Sequence, residues 1–409
     1  MRLGSGKRPG RRTAAGVVSL LVALLRGPAP CGPADAAEWH VDNVAGDDAN
    51  PGDGARPFRS LARASSELKA GDTLHLARTA LPYREGFDLV DLAGTEAAPI
   101  VIDGHFAVLS GVDPVDPAEW EDRGGGLWRR PTDLAPHQSP RFFVLFDGKQ
   151  ERMGVFGKRK RTPLPPPEAI EPRQWTYAEG EKALYLRLPI GEAPGPRLSL
   201  PRHPPGYAPS GVALSGRCAH IVVRRLVVEH FLNDGLNIHG ECVGIRFETI
   251  ISRGHGDDGL SAHGTCEITA ENLIIHDNPG GVAHIGQARA VHRNLWIHDS
   301  LGVDVSLRNP DNLFENLVVD ARSTRGVFAS PAEGRTAFAN LVFANADFRA
   351  GRDGVPFQID GKEARLENVR LSGFAPVVLS TRLDETFDDA ATRDLPGRLR
   401  ALFPEGDQP

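Results

Sequence analysis

The sequence predicts an all-β solenoid, a fold in which short coils stack along one axis. A phrase recurs at an interval of 24 residues, first as Asn233–Gly240 and then as Asp257–Gly264. Three cysteines, Cys218, Cys242 and Cys266, keep the same interval of 24. A repeat of this length is usually one structural unit that buries its apolar face only against its neighbours. The 45 glycines, 33 prolines and few aromatic residues are typical of a turn-rich β protein.

Residues 1–37 have the layout of a secretory signal. Basic residues up to Arg12 precede the apolar run Ala14–Leu25, and small residues then lead to Ala37. The apolar run is shorter than the roughly 20 residues that a membrane-spanning helix needs. We therefore expect export to the periplasm, cell envelope or medium, without stable membrane insertion after cleavage. An uncleaved membrane anchor is the alternative.

The charge and the cysteine content indicate which partners, disulfides and metal sites to expect. Cleavage after residue 37 leaves 41 basic and 52 acidic side chains, a net charge of about −11. Nucleic-acid binding calls for a basic face, so it is not expected. The three remaining cysteines are odd in number and predict a buried free-thiol ladder, although adjacent coils are close enough for a disulfide. No Cys/His zinc spacing occurs. A monomer is expected.

Residues 38–119 predict an amino-terminal cap and the first coils. A short strand, a glycine-rich loop, a helix beginning near Ser60 and a second strand follow one another over residues 39–77. This opening resembles the cap of secreted right-handed parallel β-helix proteins in the pectate-lyase-like superfamily. The resemblance implies that the helix covers the open end of the first coil, where a bare sheet edge would otherwise be exposed.

Residues 120–205 predict a small inserted β subdomain. Alternating strands and turns occur there without the coil interval. Insertions in similar β-helix enzymes that act on glycans often form one wall of the substrate groove, and this analogy alone suggests the same role here.

Residues 206–385 predict the main coils. One strand per coil is expected to begin at Leu226, Ile250, Leu273, Leu295, Leu317, Leu341 and Val369. An asparagine precedes five of these strands, in a pattern that resembles the asparagine ladders of the same superfamily: Asn272, Asn294, Asn316, Asn340 and Asn368. A second strand per coil follows a glycine that we expect to supply a positive φ, at Gly235, Gly259, Gly281, Gly302, Gly326 and Gly354. Residues 386–409 predict a carboxy-terminal cap or tail, with a short amphipathic helix over the final coil.

The repeated phrase also predicts a polar face. Asp234 and Asp258 come at the corner before two successive strands, and alternation directs His239 and His263 outward at the strand ends. Because equivalent residues of adjacent coils lie about 5 Å apart, these four residues are the predicted catalytic set. The predicted substrate contacts are Asn237, Asp257, His255 and Asp304.

Calcium is the one cofactor that the pattern suggests. Asp234, Asp257 and Asp258 offer the hard oxygen ligands that calcium prefers. Two structural interpretations compete with a functional site. Corner aspartates commonly accept backbone N–H bonds in Asx-turns, and stacked histidines can form a solvent-facing ladder without a role.

The order Asn233-Asp234-Gly235 followed by Asp257-Asp258 is similar to the catalytic strands of polygalacturonase-like hydrolases. That resemblance implies aspartates acting as acid and base. The family's threonine and its later Gly-His-Gly and Arg-Ile-Lys motifs are missing, so polygalacturonase activity itself is not predicted.

The predicted function is an exported β-helix protein that acts on polysaccharide, as a glycoside hydrolase or as a lyase. In a hydrolase, the pair Asp234/Asp258 at about 5 Å suits retention, whereas Asp258/Asp304, two coils apart, approaches the spacing for inversion. In a lyase, His239 or His263 is the expected base. A non-catalytic glycan-binding or cell-envelope protein is the alternative.

Overall fold

Two long parallel sheets run side by side along the chain. The computed structural model describes residues 36–132, 141–153, 164–202, 209–308, 311–329, 340–351, 354–359, 364–383 and 386–407. Almost all of the predicted secretory signal lies outside these residues. Residues 36–409 form one compact unit. No helix among the described residues is long and apolar enough to cross a membrane.

The first sheet has ten strands and supplies the longest strand of each coil. In spatial order its strands are β1 (Glu38–Val41), β2 (Thr73–Leu76), β4 (Ile100–Ser110), β14 (Ile221–Glu229), β16 (Ile245–Arg253), β18 (Glu267–His276), β20 (Arg289–His298), β22 (Asp311–Asp320), β24 (Asn340–Arg349) and β26 (Ala364–Ser372).

The second sheet has nine strands and supplies the shorter strand of each coil. In spatial order they are β3 (Phe87–Val90), β13 (Val212–Ser215), β15 (Leu236–Ile238), β17 (Asp258–Ala262), β19 (Gly280–Ile285), β21 (Val303–Arg308), β23 (Gly326–Ala329), β25 (Phe357–Ile359) and β27 (Val377–Leu379). Because all pairings within each of the two sheets are parallel, every coil stacks on the one before it. The predicted parallel solenoid is confirmed.

The space between the sheets is a continuous apolar core. Leu236 and Ile238 of one coil and Leu260 and Ala262 of the next are fully buried, as alternation predicts. Burial of such aliphatic columns, at about 1.5–3 kcal/mol per large side chain, provides most of the stabilisation of stacked coils. The three cysteines are free and buried, which confirms the thiol ladder.

An asparagine ladder bends the long strands. Each member has a positive φ near 55°, which divides its strand into two straight parts, and the amides are linked from coil to coil by hydrogen bonds of 2.9–3.2 Å: Asn272, Asn294, Asn316, Asn345 and Asn368. The prediction of Asn340 was therefore wrong, and so was the alignment of Leu341. The strand register places Leu317 beside Ala346, because extra residues enter between these two coils.

Glycine occupies the positions before the second-sheet strands for a different reason from the predicted positive φ. Of the six, Gly354 alone has a positive φ. A side chain at Gly235 would meet Ser252 Oγ at 2.0 Å, and one at Gly259 would meet the Ile275 side chain at 2.3 Å. These glycines are needed because the backbone passes directly over interior side chains.

The amino-terminal helix α1 (Leu61–Ser65) begins where the sequence indicated. The Ser60 side chain accepts a hydrogen bond from the Arg63 N–H at 3.1 Å, which is an ordinary N-cap. Leu61 and Ala64 are fully buried in the core of the first coils.

An antiparallel segment separates the first coils from the main ones. It contains β5 (Val112–Pro114), β6 (Glu121–Asp122), β7 (Leu127–Pro131), β8 (Val144–Phe146), β9 (Lys149–Glu151), β10 (Trp175–Ala178), β11 (Ala183–Arg187) and β12 (Leu198–Pro201). These strands form two four-stranded sheets around their own core, which includes Phe143 and Trp175. We call this segment the insertion. Leu232, from a corner of the main coils, packs into the same core.

The carboxy-terminal helix α2 (Leu395–Arg400) forms, but it does not cover the final coil. Leu395, Leu399 and Phe403 pack on the outer side of the first sheet, against Val227, Ile251, Ile274, Trp296 and Val318. Phe403 reaches Phe106 of an early coil, with ring centroids 5.7 Å apart. The predicted position was wrong because these outward aliphatic residues form an apolar stripe along the flank of the first sheet.

Candidate active site

Three aspartates from two successive coils meet at one corner. Asp234, Asp257 and Asp258 have carboxylate oxygens within 4.8 Å of one another. Asp258 is the first residue of β17, Asp234 lies two residues before β15, and the parallel register of these strands stacks the two positions. Asp234 is 3% exposed, whereas Asp257 and Asp258 are half-buried. We call the three residues the acidic corner.

Asp234 is the buried member of the acidic corner. Its Oδ1 accepts the backbone N–H of Asp258 at 3.0 Å, and its Oδ2 accepts from the amides of Asn237 and Asn233. Burial and the negative charge of Asp257 raise the pKa of Asp234 to about 7. Asp234 therefore holds a proton more readily than an ordinary aspartate, beside two more exposed carboxylates.

The insertion reaches the acidic corner through Arg141. Its guanidinium donates one hydrogen bond to the Asn233 side chain and another to the Asp257 carboxylate. The sequence reasoning missed this residue, which lies 116 positions from Asp257. Its only local signal is its place directly before the apolar strand of the insertion.

Two further side chains of the insertion bind the loop that carries Asp257. Gln150 donates to the carbonyl of Gly254, and Arg152 donates to the carbonyls of His255 and Gly256. Burial lowers the pKa of Arg152 to about 9, with the Asp257 charge acting in the opposite direction. The geometry of the acidic corner therefore depends on how the insertion is docked.

His239 and His263 stack on each other at the other end of the same strands. Their ring centroids are 4.3 Å apart and their planes are inclined by 6°. His239 lies five positions after Asp234, and an extended segment of that length spans roughly 16 Å. The predicted set of four therefore divides into the acidic corner and a histidine pair.

The outward residues between these two groups are Asn237 and Ser261, and both are buried. Asn237 bonds to Asp234, whereas Ser261 Oγ lies 2.8 Å from Nε2 of His263. Asn237 therefore orients Asp234, and its contact with substrate stays a prediction.

His255, a predicted substrate contact, lies inside the corner. It is fully buried, and its Nδ1 accepts the Phe231 N–H at 3.2 Å. Nε2 then carries the proton and faces Ser252 Oγ at 3.1 Å. Burial lowers the pKa of His255 well below its usual value. Its placement corresponds to a structural role, because no substrate reaches it without opening the coil.

Asp304, the fourth predicted substrate contact, points into the core. The register aligns it with Gly281, where a side chain would meet Ile297, and it is fully buried. Burial raises its pKa to about 7. The predicted inverting pair of Asp258 and Asp304 is therefore wrong, because the two carboxyls occupy different sides of the sheet.

His284 also points inward, and its Nε2 lies 2.8 Å from Nε2 of the buried His292. His276 and His298 stack along the first sheet, with ring centroids 4.6 Å apart. Each of them bonds to the aspartate that follows it. These four histidines support the coils rather than the acidic corner.

Comparison with known proteins supports the fold. Residues 210–368 match the family model described as a right handed beta helix region. The chain has the fold of a right-handed parallel β-helix. No curated protein sequence matches this β-helix chain.

Several solved structures are similar to the chain at low sequence identity. One described as "Glycoside hydrolase" is 11% identical, with a TM-score of 0.53 over 82% of this chain and 87% of the other. A complex of XylC with xylose is 11% identical, with a TM-score of 0.39 over 85% and 87%. A GH136 lacto-N-biosidase from Eubacterium ramulus is 11% identical, with a TM-score of 0.33 over 84% and 68%.

Proposed function

We propose that this β-helix protein cleaves a polysaccharide and that the acidic corner is its active site. The observation that carries the proposal is the gathering of three carboxylates within 4.8 Å, from two successive coils, with two of them half-exposed. Like charges are costly at this spacing, and one of the three is buried, so a structural role alone explains the cluster poorly.

Hydrolysis is the reaction class that we favour. The solved structure with a TM-score of 0.53 is described as a glycoside hydrolase, which supports this choice. Carboxyls about 5 Å apart suit a retaining mechanism. Asp234, with its raised pKa, would protonate the leaving glycosidic oxygen, and Asp258 would attack the anomeric carbon. Water would then release the sugar, with Asp234 acting as the base.

The direct test is incubation of the purified chain with a wide panel of neutral and acidic polysaccharides. New reducing ends are expected, and NMR should show a product whose anomeric configuration equals that of the substrate. Asp258→Asn should abolish turnover. Asp299→Asn is the matched control, because Asp299 is a half-exposed partner of His298 on the first sheet, away from the acidic corner. Absence of turnover on every glycan would contradict the proposal.

Calcium-assisted elimination is the second candidate. Three carboxylates in one cluster have the hard oxygen chemistry that calcium prefers. A lyase needs a cation to stabilise the enolate that forms when the proton beside a uronate carboxylate is removed. Calorimetric titration with calcium, compared with Asp257→Asn, tests the site, and ultraviolet absorbance of unsaturated products tests the reaction.

A non-catalytic role would have a distinct signature. Asp234 accepts the Asp258 N–H, which is what a purely structural corner aspartate does. If the chain only binds glycan, the double variant Asp258→Ala/His263→Ala should retain binding, and neither this variant nor the wild type should show turnover.

We also propose that the protein is exported, because residues 1–37 have the layout of a secretory signal. Mass spectrometry of the protein recovered outside the cytoplasm would reveal a cleaved amino terminus.

A further inference from the structure

A cleft of about 600 Å³ lies between the insertion and the first coils, within the volume range of small-ligand sites. Its lining combines charged side chains with apolar ones. Leu200 and Phe231, both nearly fully buried, belong to the apolar part, together with Pro114, Val115 and Pro201. A ligand in this cleft therefore contacts both charged and apolar groups.

The charges of the cleft balance one another. Among the described residues that line it, three arginines accompany three carboxylates: Arg84, Arg130, Arg202, Glu85, Asp113 and Glu119. Arg130 and Glu119 form a direct ion pair at 2.6 Å. Glu85 accepts the backbone N–H of Leu61 at 2.9 Å. Because neither sign of charge is in surplus, this lining suits an uncharged polar ligand better than an anion or a cation.

The ion pairs of Asp113 leave room for a ligand atom. One carboxylate oxygen lies 3.8 Å from Nε of Arg84, and the other lies 3.5 Å from Nε of Arg202. Both distances are longer than the roughly 2.7–3.2 Å of a direct hydrogen bond. All three side chains are partly exposed to solvent. A hydroxyl group can accept from a guanidinium and donate to a carboxylate, so a ligand hydroxyl can bridge each of these gaps.

Backbone carbonyls hold the two arginines in place. Arg84 donates to the Val112 carbonyl, and Arg202 donates to the Arg84 carbonyl at 3.1 Å. Side chains positioned in this way lose less conformational freedom when a ligand binds. A sugar ring carries hydroxyls at its edge and C–H groups on its faces. It can therefore fill the gaps beside Asp113 and also pack on the apolar lining.

The cleft continues the acidic corner along the solenoid axis. The register of β3, β13 and β15, continued toward the preceding residues, aligns Arg84 with Pro209 and then with Asn233. Pro209 lines the cleft, and Asn233 adjoins Asp234. Since each coil advances about 4.8 Å, Arg84 lies roughly 10 Å from the Asn233 position. A glycan chain lying along the axis covers both places.

We propose that this cleft binds an uncharged sugar unit of the substrate, whose hydroxyls bridge Asp113 to Arg84 and Arg202. The proposal rests on the proposed glycan-cleaving function and adds the substrate class, a polysaccharide that carries no carboxylate at this position. The cleaved bond lies at the acidic corner, and the uncharged unit occupies the chain position one to two coils toward the amino terminus.

Binding to the full-length chain tests the proposal without requiring turnover. Calorimetry would use three matched pairs of 1,4-linked trimers, built on glucose, galactose and mannose. In each pair one trimer is neutral and the other carries carboxylates at C6. We expect at least one neutral trimer to bind, and to bind at least about tenfold more tightly than its carboxylate partner, because a carboxylate brings an uncompensated charge into a balanced cleft.

Asp113→Asn should reverse part of this preference. It removes the charged acceptor, so the neutral trimer should bind at least about tenfold more weakly. It also leaves Arg84 and Arg202 without their counter-charge, so the carboxylate trimer of the same pair should bind more tightly than it does to the wild type. Arg202→Gln should weaken the neutral trimer without any gain for the carboxylate trimer. A merely structural loss would lower both affinities in both variants.

Asp147→Asn is the matched control, because Asp147 also lies between two arginines, Arg173 and Arg197, outside the cleft. Circular dichroism of each variant separates misfolding from lost contacts. Failure of every neutral trimer to bind, equal affinity within the pairs, or unchanged affinities in Asp113→Asn and Arg202→Gln would each overturn the neutral-sugar site, even if glycans are cleaved. Neutral-selective binding without turnover would uphold the cleft and count against the proposed cleavage.

Discussion

The Arg141 guanidinium donates to the Asp257 carboxylate, and this contact joins the insertion to the acidic corner. The Arg141 charge also acts to lower the pKa of Asp234, against the larger effect of burial. One arginine therefore affects both the position of one carboxylate and the proton affinity of another.

Arg141→Gln should slow glycan cleavage by at least about tenfold, because positioning and the proton affinity of the acid are both disturbed. The pKa of Asp234 should rise further, so the high-pH limb of the rate profile should move to higher pH. Arg129→Gln is the control, because Arg129 pairs with Glu121 and Glu181 at the exposed side of the insertion. An unchanged pH profile in Arg141→Gln would show that the contact has no functional role.

Asp304 should make the folded protein less stable as pH rises. Its pKa is raised to about 7 in the folded protein and is about 4 in an unfolded chain. The folded state therefore binds more protons between these values, and stability falls as pH increases from about 4 to 7. Asp304→Asn should remove a contribution on the order of 3 kcal/mol between these limits.

Denaturant unfolding at pH 5 and pH 8 checks this prediction. Asp88→Asn, at an exposed position of the second sheet, is the control. Asp234 has the same sign of shift, so Asp304→Asn should lose only the Asp304 share of the pH dependence, and the double variant with Asp234→Asn should lose a larger share. A single variant with the full wild-type pH dependence would be inconsistent with the interior placement.

Thr249→Asn should stabilise the protein by about 1 kcal/mol. Thr249 has a φ of 58°, which is unfavourable for a β-branched residue, and the strand register places it beside Asn272 at the end of the ladder. Asparagine tolerates this backbone and would extend the ladder by one coil. Thermal unfolding measures the gain. Thr269→Asn, at an ordinary strand position, should show none.

Leu399→Ala should lower the free energy of unfolding by about 2–5 kcal/mol, because Leu399, on the inner face of α2, is only 1% exposed. Leu402→Ala should cost less than about 0.5 kcal/mol, because Leu402 is 43% exposed on the same segment. Denaturant titration of the pair tests whether α2 packs on the flank of the first sheet. Equal losses in the two variants would contradict that packing.

The solenoid was predictable because its signal is local and repeated. The phrase around Asp234 recurs around Asp258, and the structure pairs these strands in the expected register. The prediction failed where the interval changed. Asn340 follows Asn316 by about one coil interval, and Asn345 precedes Asn368 by about one coil interval, so spacing alone does not choose between them. The strand register selects Asn345.

The structure brings part of the predicted site together at the acidic corner and places the rest elsewhere. Alternation indicates which residues of a strand face outward, but it does not apply at a corner, where Asp304 turns into the core. His255 looks like a surface residue because glycines flank it, yet the insertion covers its loop. Arg141 could not be assigned because it meets Asp257 only through tertiary packing, for which a single sequence carries no signal.

The contact between the insertion and the acidic corner also constrains the order of folding. Neighbouring coils can form as soon as two of them are available, since each coil contacts only its neighbours. The contact of Arg141 can form only once Asp257, which lies 116 residues later in the chain, has been placed in its coil. During refolding, strand content should therefore return before the acidic corner is assembled, and activity should be the last property to recover.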